Sequence, residues 1–84
     1  MSFQIRFTRQ AKKDVEELSP KLLNKLKNIL RRKIAVNPYD GKQLKGELKG
    51  FYSTRLTYQD RIIYSIDKQE SLVVVIRAKT HCGQ

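Results

Sequence analysis

The sequence predicts an α+β fold with the element order β-α-α-β-β-β, in which a helical hairpin packs on one face of a small, mainly antiparallel sheet. Apolar residues recur at helical spacing between residues 9 and 36. Residues 51–66 and 72–79 are instead rich in β-branched and aromatic side chains, which suit a half-buried sheet. Because the helices bury their apolar stripes against one face of the sheet, we expect the opposite face to stay open to a ligand.

A short strand and two helices are predicted for the first half of the chain. Residues 3–7 alternate between apolar and polar, as in a strand with one buried face. Thr8 is placed to cap a helix over residues 9–18. Ser19 as N-cap and Pro20 at the first helical position begin a second helix, which we expect to be about 17 residues long and antiparallel to the first.

Three strands are predicted for the second half of the chain, after a loop over residues 39–50. Asp60 lies at a predicted turn between antiparallel strands over residues 52–58 and 61–66. The last strand covers residues 72–79 and is so rich in valine and isoleucine that we expect it to be partly buried on both faces.

Successive side chains of a strand point to opposite faces, so the sequence also assigns residues to faces. Arg55 and Tyr52 are expected on opposite faces of their strand. The odd positions of the last strand are predicted to share one face, with the basic side chains at its C-terminal end. These odd positions are Val73, Val75, Arg77, Lys79 and His81.

The net charge of +10, from 18 lysines and arginines against 8 acidic residues, is the strongest global signal. It favours a polyanionic partner, which is nucleic acid, an acidic protein segment, or both. A basic surface with no specific partner is the weaker alternative. At 84 residues we expect a single domain over residues 1–84.

Neither a membrane segment nor an export signal is predicted. The longest apolar run, residues 72–76, is far too short to span a bilayer. The N-terminal residues lack the apolar core of a signal peptide. The single Cys82 cannot form an internal disulfide, which agrees with a reducing compartment. We therefore expect a cytoplasmic protein without a membrane partner.

Cationic side chains surround aromatic ones on and near the predicted strands, which suits RNA. Cations hold phosphates, and aromatic rings stack on unpaired bases. The set consists of Lys45, Lys49, Arg55, Arg61, Arg77, Lys79 and His81 with Tyr52, Tyr58 and Tyr64. One histidine and one cysteine cannot supply a zinc site, so neither a metal nor a cofactor is expected.

RNA can be cleaved without a metal, because its own 2′-hydroxyl can attack the adjacent phosphorus. The protein must accept a proton, stabilise the charged phosphorane and protonate the leaving 5′-oxygen. Arg61 suits the second task because a guanidinium holds two phosphate oxygens, although an ion pair with Asp60 or Asp67 is an equal alternative from the pattern alone. His81 suits proton donation near neutral pH, although a lone histidine near a C-terminus more often has no catalytic role.

Several short motifs, in their order and spacing, resemble the RelE/ParE toxin superfamily over nearly the whole chain. They are Leu44-Lys45-Gly46, Gly50-Phe51-Tyr52, Arg55, Arg61-Ile62-Ile63-Tyr64 and the valine-rich last strand. His81 followed by Cys82 is similar to the YoeB branch, where a histidine–tyrosine pair closes the chain. The resemblance implies a toxin of a bacterial type II toxin–antitoxin pair. Together with the positive charge it predicts an acidic cognate antitoxin as partner.

The resemblance leaves two activities open. RelE and YoeB branches cleave mRNA in the ribosomal A site, whereas ParE branches inhibit DNA gyrase. By motif position Arg61 matches a phosphate-binding arginine and His81 a general acid, which gyrase inhibition does not need. We therefore expect a ribosome-dependent mRNA endoribonuclease. The resemblance implies His81, Arg61 and Arg55 as catalytic residues and Lys45 as a substrate-binding residue. From the set of cationic and aromatic side chains we expect Lys49, Arg77, Lys79 and Tyr52 to bind the substrate as well.

Two departures from the family pattern bear on the chemistry. Cys82 stands where YoeB-like toxins have a tyrosine. The glutamate that acts as base in YoeB has no clear match, since its aligned place is near Lys42 and Glu47 is shifted from it. The general base is therefore left open, with a basic residue as in RelE-like enzymes as one alternative. A nucleic-acid-binding module without chemistry is a third class of function.

Overall fold

A computed structural model describes residues 3–81 of the chain, and the side chains of residues 3–78. The strands are β1 (Gln4–Phe7), β2 (Lys42–Gln43), β3 (Phe51–Arg55), β4 (Asp60–Asp67) and β5 (Leu72–His81). The helices are α1 (Arg9–Glu16) and α2 (Pro20–Ile29), and a π-helical turn (Leu30–Ile34) continues α2. No helix within the described residues is long and apolar enough to cross a membrane.

The described strands form one mixed sheet in the order β1-β5-β4-β3-β2. β1 runs parallel to β5, and the other neighbours are antiparallel. The predicted α+β class with a mainly antiparallel sheet is confirmed. The predicted loop over residues 39–50 is wrong at one point, because Lys42 and Gln43 pair with β3 as a short edge strand. Two polar residues carry no alternation from which a strand could be predicted.

Both predicted helix starts are confirmed by side-chain caps. The hydroxyl of Thr8 accepts a hydrogen bond from the backbone N–H of Ala11 at 3.1 Å. Ser19 does the same for the N–H of Leu22 at 3.3 Å. The second helix then changes pitch, since the N–H of Ala35 reaches back five residues to the carbonyl of Leu30. Such a π turn lets the last turn of a helix adjust to its packing partner.

The core lies between the two helices and one face of the sheet. The buried side chains that form it are Ala11, Leu26, Leu30, Ile34, Leu56, Ile62, Tyr64, Val73, Val75 and Ala78. Phe3, Ile5 and Phe7 pack against this cluster, as their alternation predicts. At the centre, the ring of Tyr64 is fully buried and its hydroxyl donates to the carbonyl of Pro38 at 2.7 Å. Burial raises the pKa of Tyr64 above its ordinary value.

The prediction that the odd positions of β5 share one face is wrong. Val75 pairs with the buried Tyr64, but Arg77 pairs with Ile63 on the other face. Of the two irregularities between β4 and β5, the one between Ile63 and Tyr64 precedes Arg77 and causes the change. Such bulges insert an unpaired residue and reverse the alternation beyond them. Ala78, at an even position, is consequently the next fully buried side chain of β5.

Candidate functional site

Arg55 and Arg61 lie directly opposite each other where β3 and β4 meet at the hairpin. The neighbour of Arg55 in β3 shows to which face Arg55 points. Thr54 pairs with the buried Ile62, so Thr54 lies on the face that packs against the helices. Neighbours alternate, so Arg55 stands on the sheet face opposite the helices, which we call the open face. The predicted separation of Arg55 and Tyr52 onto opposite faces is confirmed by the same register.

A hollow of about 180 Å³ lies between these two arginines and is also lined by Lys42 and Ser53. We call it the arginine hollow. Ser53 is 5% exposed and pairs with Lys42 across the β2–β3 ladder. The three charged side chains that line the hollow are all cationic. Like charges that line one hollow repel, and an anion with several oxygens, such as a phosphate, relieves that repulsion while accepting hydrogen bonds from both guanidinium groups.

The β3–β4 turn holds the two arginines in register. The N–H groups of Leu56 and Thr57 both donate to the carbonyl of Asp60, at 2.9 and 3.1 Å. The Thr57 hydroxyl accepts from the N–H of Asp60 at 2.9 Å and donates to its carboxylate at 3.2 Å. Leu56, the first residue of the turn, is fully buried and belongs to the core. The predicted end of the first strand at residue 58 is therefore wrong, because β3 ends at Arg55. Asp60 is the first residue of β4 and does not lie in the turn itself, contrary to the prediction.

His81 is the last residue of β5, and its backbone lies opposite Asp60. Its neighbour Thr80 lies opposite Arg61, and neighbouring strands are about 4.8 Å apart. The ends of three adjacent strands thus bring together the backbones of Arg55, Arg61 and His81. The side chains of Lys79 and His81, and all of Cys82, lie outside the described part of the chain.

Lys49 and Tyr52 lie apart from the arginine hollow. They line a separate hollow of about 450 Å³ at the other end of β3, together with Tyr39. Tyr52 points to the helix side, where its ring stacks on Tyr64 at a centroid distance of 5.8 Å and meets the edge of Tyr39 at 6.1 Å. Lys45 is exposed and lines neither hollow. The ring of Tyr52 is thereby a part of the aromatic packing beside the core.

Arg77 also lies outside the arginine hollow, because its guanidinium pairs with a residue of α1. Its Nε donates to the carboxylate of Asp14 at 2.8 Å, and Asp14 is 4% exposed. This hydrogen bond raises the pKa of Arg77. Burial raises the pKa of Asp14, but the hydrogen bonds from Arg77, the N–H of Ala78 and Gln10 outweigh burial and hold it below its usual value. Arg77 is thus a structural ion-pair partner in this fold.

Lys42 and Ser53 are the two members of the arginine hollow that the sequence did not single out. One signal pointed to Lys42, because the family position of the catalytic glutamate aligns near it. Ser53 carried a weaker signal, since it is two residues from Arg55 and therefore shares one face of β3 with it. Their meeting depends on the pairing of β2 with β3, which the sequence did not predict.

Comparisons with known proteins agree with this fold. Residues 5–82, which span the whole arginine hollow, match the family described as ParE-like toxin of type II bacterial toxin-antitoxin system. Toxin RelG of Mycobacterium tuberculosis is 34% identical over 79 residues, which are 92% of this chain and 88% of the relative. Toxin YoeB of Synechocystis sp. is 34% identical over 61 residues, which are 68% of this chain and 70% of the relative.

Two similar solved structures are toxin–antitoxin complexes. A chain of the RelBE2 complex of M. tuberculosis is 30% identical, has a TM-score of 0.85, and is matched over 96% of this chain and 99% of that one. The YoeB-YefM complex of Staphylococcus aureus gives 25% identity and a TM-score of 0.79, with coverage of 96% and 99%. The two likenesses extend over the sheet and both helices.

Proposed function

We propose that this chain, which belongs to the ParE-like toxin family of type II bacterial toxin–antitoxin systems, is a ribosome-dependent mRNA endoribonuclease. The observation that carries the proposal is the pairing of Arg55 with Arg61 across a cationic hollow, with the backbone of His81 at the end of the next strand. The similarity to RelG and YoeB toxins supports the same class. Cytoplasmic location follows from this proposal, since ribosomes and mRNA are cytoplasmic.

In the proposed reaction the arginine hollow holds the scissile phosphate. Arg55 and Arg61 donate to its non-bridging oxygens, and Lys42 adds a third positive charge. The 2′-hydroxyl transfers its proton to a general base as it attacks phosphorus, and the guanidinium groups stabilise the charge that develops on the phosphorane. His81 donates a proton to the leaving 5′-oxygen, so that the products are a 2′,3′-cyclic phosphate and a 5′-hydroxyl. Lys45, Lys49 and Lys79 bind more distant parts of the RNA backbone, while Tyr52 and Arg77 support the fold.

The proposal is tested with the purified chain on ribosomes programmed with a defined mRNA. Primer extension should reveal new 5′ ends only when ribosomes are present, and the upstream fragments should carry 2′,3′-cyclic phosphates without added metal. The same mRNA without ribosomes is the matched control. Intact mRNA on ribosomes stalled with an empty A site would refute the proposal.

Gyrase inhibition is the second candidate, because the matched family bears the name of ParE. It is tested on the same preparation by supercoiling of relaxed plasmid by gyrase. The endoribonuclease proposal expects undiminished supercoiling at toxin concentrations that cleave mRNA. Gyrase inhibition with intact mRNA would replace the first candidate by the second.

We also propose an acidic cognate antitoxin as the protein partner. A groove of about 450 Å³ runs between β1, α1 and α2, and apolar side chains line most of it, with Lys27 and Arg31 as its charged members. A largely apolar strip flanked by cations fits an amphipathic segment that carries carboxylates. The +10 charge of the chain favours such a partner, because neutralisation relieves self-repulsion.

Two neighbouring leucines of α2 test the groove. Leu23 lines it and Leu22 does not, although both are half-buried. Leu23→Glu should weaken antitoxin binding by about a hundredfold, because a carboxylate is desolvated against apolar and acidic groups. Leu22→Glu should change it by less than about threefold. Equal losses in calorimetric titrations of the two variants would show that the antitoxin binds elsewhere.

A further inference from the structure

The register of β5 against β4 shifts by two residues before it reaches His81. If the pairing of Tyr64 with Val75 continued without interruption, Asp60 would lie opposite Lys79. Instead Asp60 lies opposite His81, and Arg61 lies opposite Thr80. Both irregularities fall between Arg61 and Tyr64 on the β4 side. The shift therefore determines which residue of β5 arrives beside the arginine hollow.

Helix α1 covers the outer edge of β5 where this shift occurs. β1 stops pairing with β5 at Val75, and the chain turns into α1 at that point. Thr8 continues the edge, because its N–H donates to the carbonyl of Val75 at 3.0 Å and its hydroxyl to that of Ile76 at 3.1 Å. Beyond Ile76 the outer edge of β5 no longer pairs with β1, so its backbone groups need other hydrogen-bond partners.

Asp14 supplies that partner from the second turn of α1. Its carboxylate accepts from the N–H of Ala78 at 3.1 Å and from Nε and Nη2 of Arg77 at 2.8 and 3.3 Å. Gln10 donates to the same carboxylate at 3.2 Å. Asp14 is 4% exposed and Ala78 is fully buried. Burying a carboxylate costs free energy. The hydrogen bonds from Arg77 and Ala78, two consecutive residues of β5 at the point of the shift, offset that cost.

We propose that Asp14 is a positioning residue that stabilises the register shift of β5 and thereby brings His81 to the end of β4 beside Arg61. The N–H of Ala78 is directed outward to Asp14, so β5 keeps its extra residues at this point. Without the acceptor, the uninterrupted register would leave His81 two residues beyond Asp60. The role of His81 in catalysis rests on the proposed function, whereas the placement of its backbone does not.

The test measures the register and the reaction separately, on the full-length chain. In the parent protein, NMR should give cross-strand backbone contacts between Asp60 and His81 and a slowly exchanging Ala78 amide. Asp14→Ala should lose these contacts and keep those between Ser65 and Val74, and its Ala78 amide should exchange about tenfold faster. Single-turnover mRNA cleavage should fall by about a hundredfold with unchanged affinity for programmed ribosomes, because a displaced proton donor reacts poorly.

Three further variants make the result specific. Asp14→Leu keeps a side chain branched at the same atom without an acceptor and should behave like Asp14→Ala, which keeps the test valid if the alanine variant does not fold. Asp14→Asn keeps an acceptor oxygen for Ala78 and should restore the contacts between Asp60 and His81. Gln10→Ala removes one hydrogen bond to the same carboxylate and serves as the matched control, with no change in register.

The two proposals fail in different ways. If Asp14→Ala or Asp14→Leu retains the contacts between Asp60 and His81 at full intensity, Asp14 does not position this strand. If the contacts are lost as expected but the parent protein cleaves no mRNA, the positioning role stands and the proposed nuclease function falls.

Discussion

At Gly41 the backbone passes so close to Tyr64 that a Cβ atom would collide with the tyrosine hydroxyl and press on the carbonyl of Ser53 at 3.1 Å. The backbone at Gly41 is extended, with φ of −72°, so any residue could adopt it and only space forbids a side chain. The same hydroxyl donates to the carbonyl of Pro38. The buried hydrogen bond from Tyr64 to Pro38 thus fixes the path of the backbone just before β2. This path places Lys42, the first residue of β2, at the arginine hollow.

Gly41→Ala should destabilise the chain by about 1–3 kcal/mol through overpacking, as measured by urea unfolding. Tyr64→Phe should cost about 1–3 kcal/mol, because the buried Pro38 carbonyl loses its shorter hydrogen bond and keeps the longer one from the N–H of Gly41 at 3.4 Å. In the double variant the added methyl no longer meets an oxygen, so the combined loss should be smaller than the sum of the two. Strict additivity would mean that Gly41 is not restricted by the Tyr64 hydroxyl.

At the scale of elements, the two helix caps differ in what else their hydroxyl groups do. Thr8 accepts from the N–H of Ala11 and also donates across to β5. Ser19 caps α2 at an exposed position. Thr8→Ala should therefore lower the free energy of unfolding by about 2 kcal/mol and Ser19→Ala by about 0.5–1 kcal/mol. Equal losses in urea unfolding would show that the bond from Thr8 to Ile76 contributes nothing.

The contact between α1 and β5 should also make stability depend on pH. The pKa of Asp14 in the folded chain is lowered below 3.8, so its ionised form stabilises the fold. This contribution is fully present above pH 3.8 and is lost as pH falls through the lower folded value. Asp14→Asn should be less stable than the parent at pH 7, and the difference in unfolding midpoint should shrink below pH 3.8. A constant difference across this range would contradict the lowered pKa.

At the scale of the whole molecule, the sequence could predict what depends on repeated patterns. The apolar stripes, the caps at Thr8 and Ser19 and the β-branched runs specify two helices and the main strands. The position of Arg55 opposite Arg61 was not predicted, because strands over residues 52–58 and 61–66 leave a turn of two residues, whereas the observed turn spans residues 56–59. The single domain over residues 1–84 stays a prediction.

The remaining features depend on contacts that sequence periodicity does not carry. β2 exists because Lys42 and Gln43 meet β3, and two residues have no period. The shift in β5 depends on Asp14, 64 residues away from Ala78 along the chain. Strict alternation consequently assigned Arg77 to the wrong face, while Lys42 was missed as part of the arginine hollow.

The most direct test of the central claim is the single-turnover rate of mRNA cleavage on programmed ribosomes by Arg61→Ala. Arg61 lines the arginine hollow, whereas Arg6 is exposed on the far edge strand, so Arg6→Ala is the matched control for lost charge. The account predicts a loss of about 10²–10³ for Arg61→Ala, because a donor to the developing charge is removed. Arg6→Ala should remain within about threefold of the parent. A folded Arg61→Ala that cleaves mRNA as fast as Arg6→Ala would contradict the account.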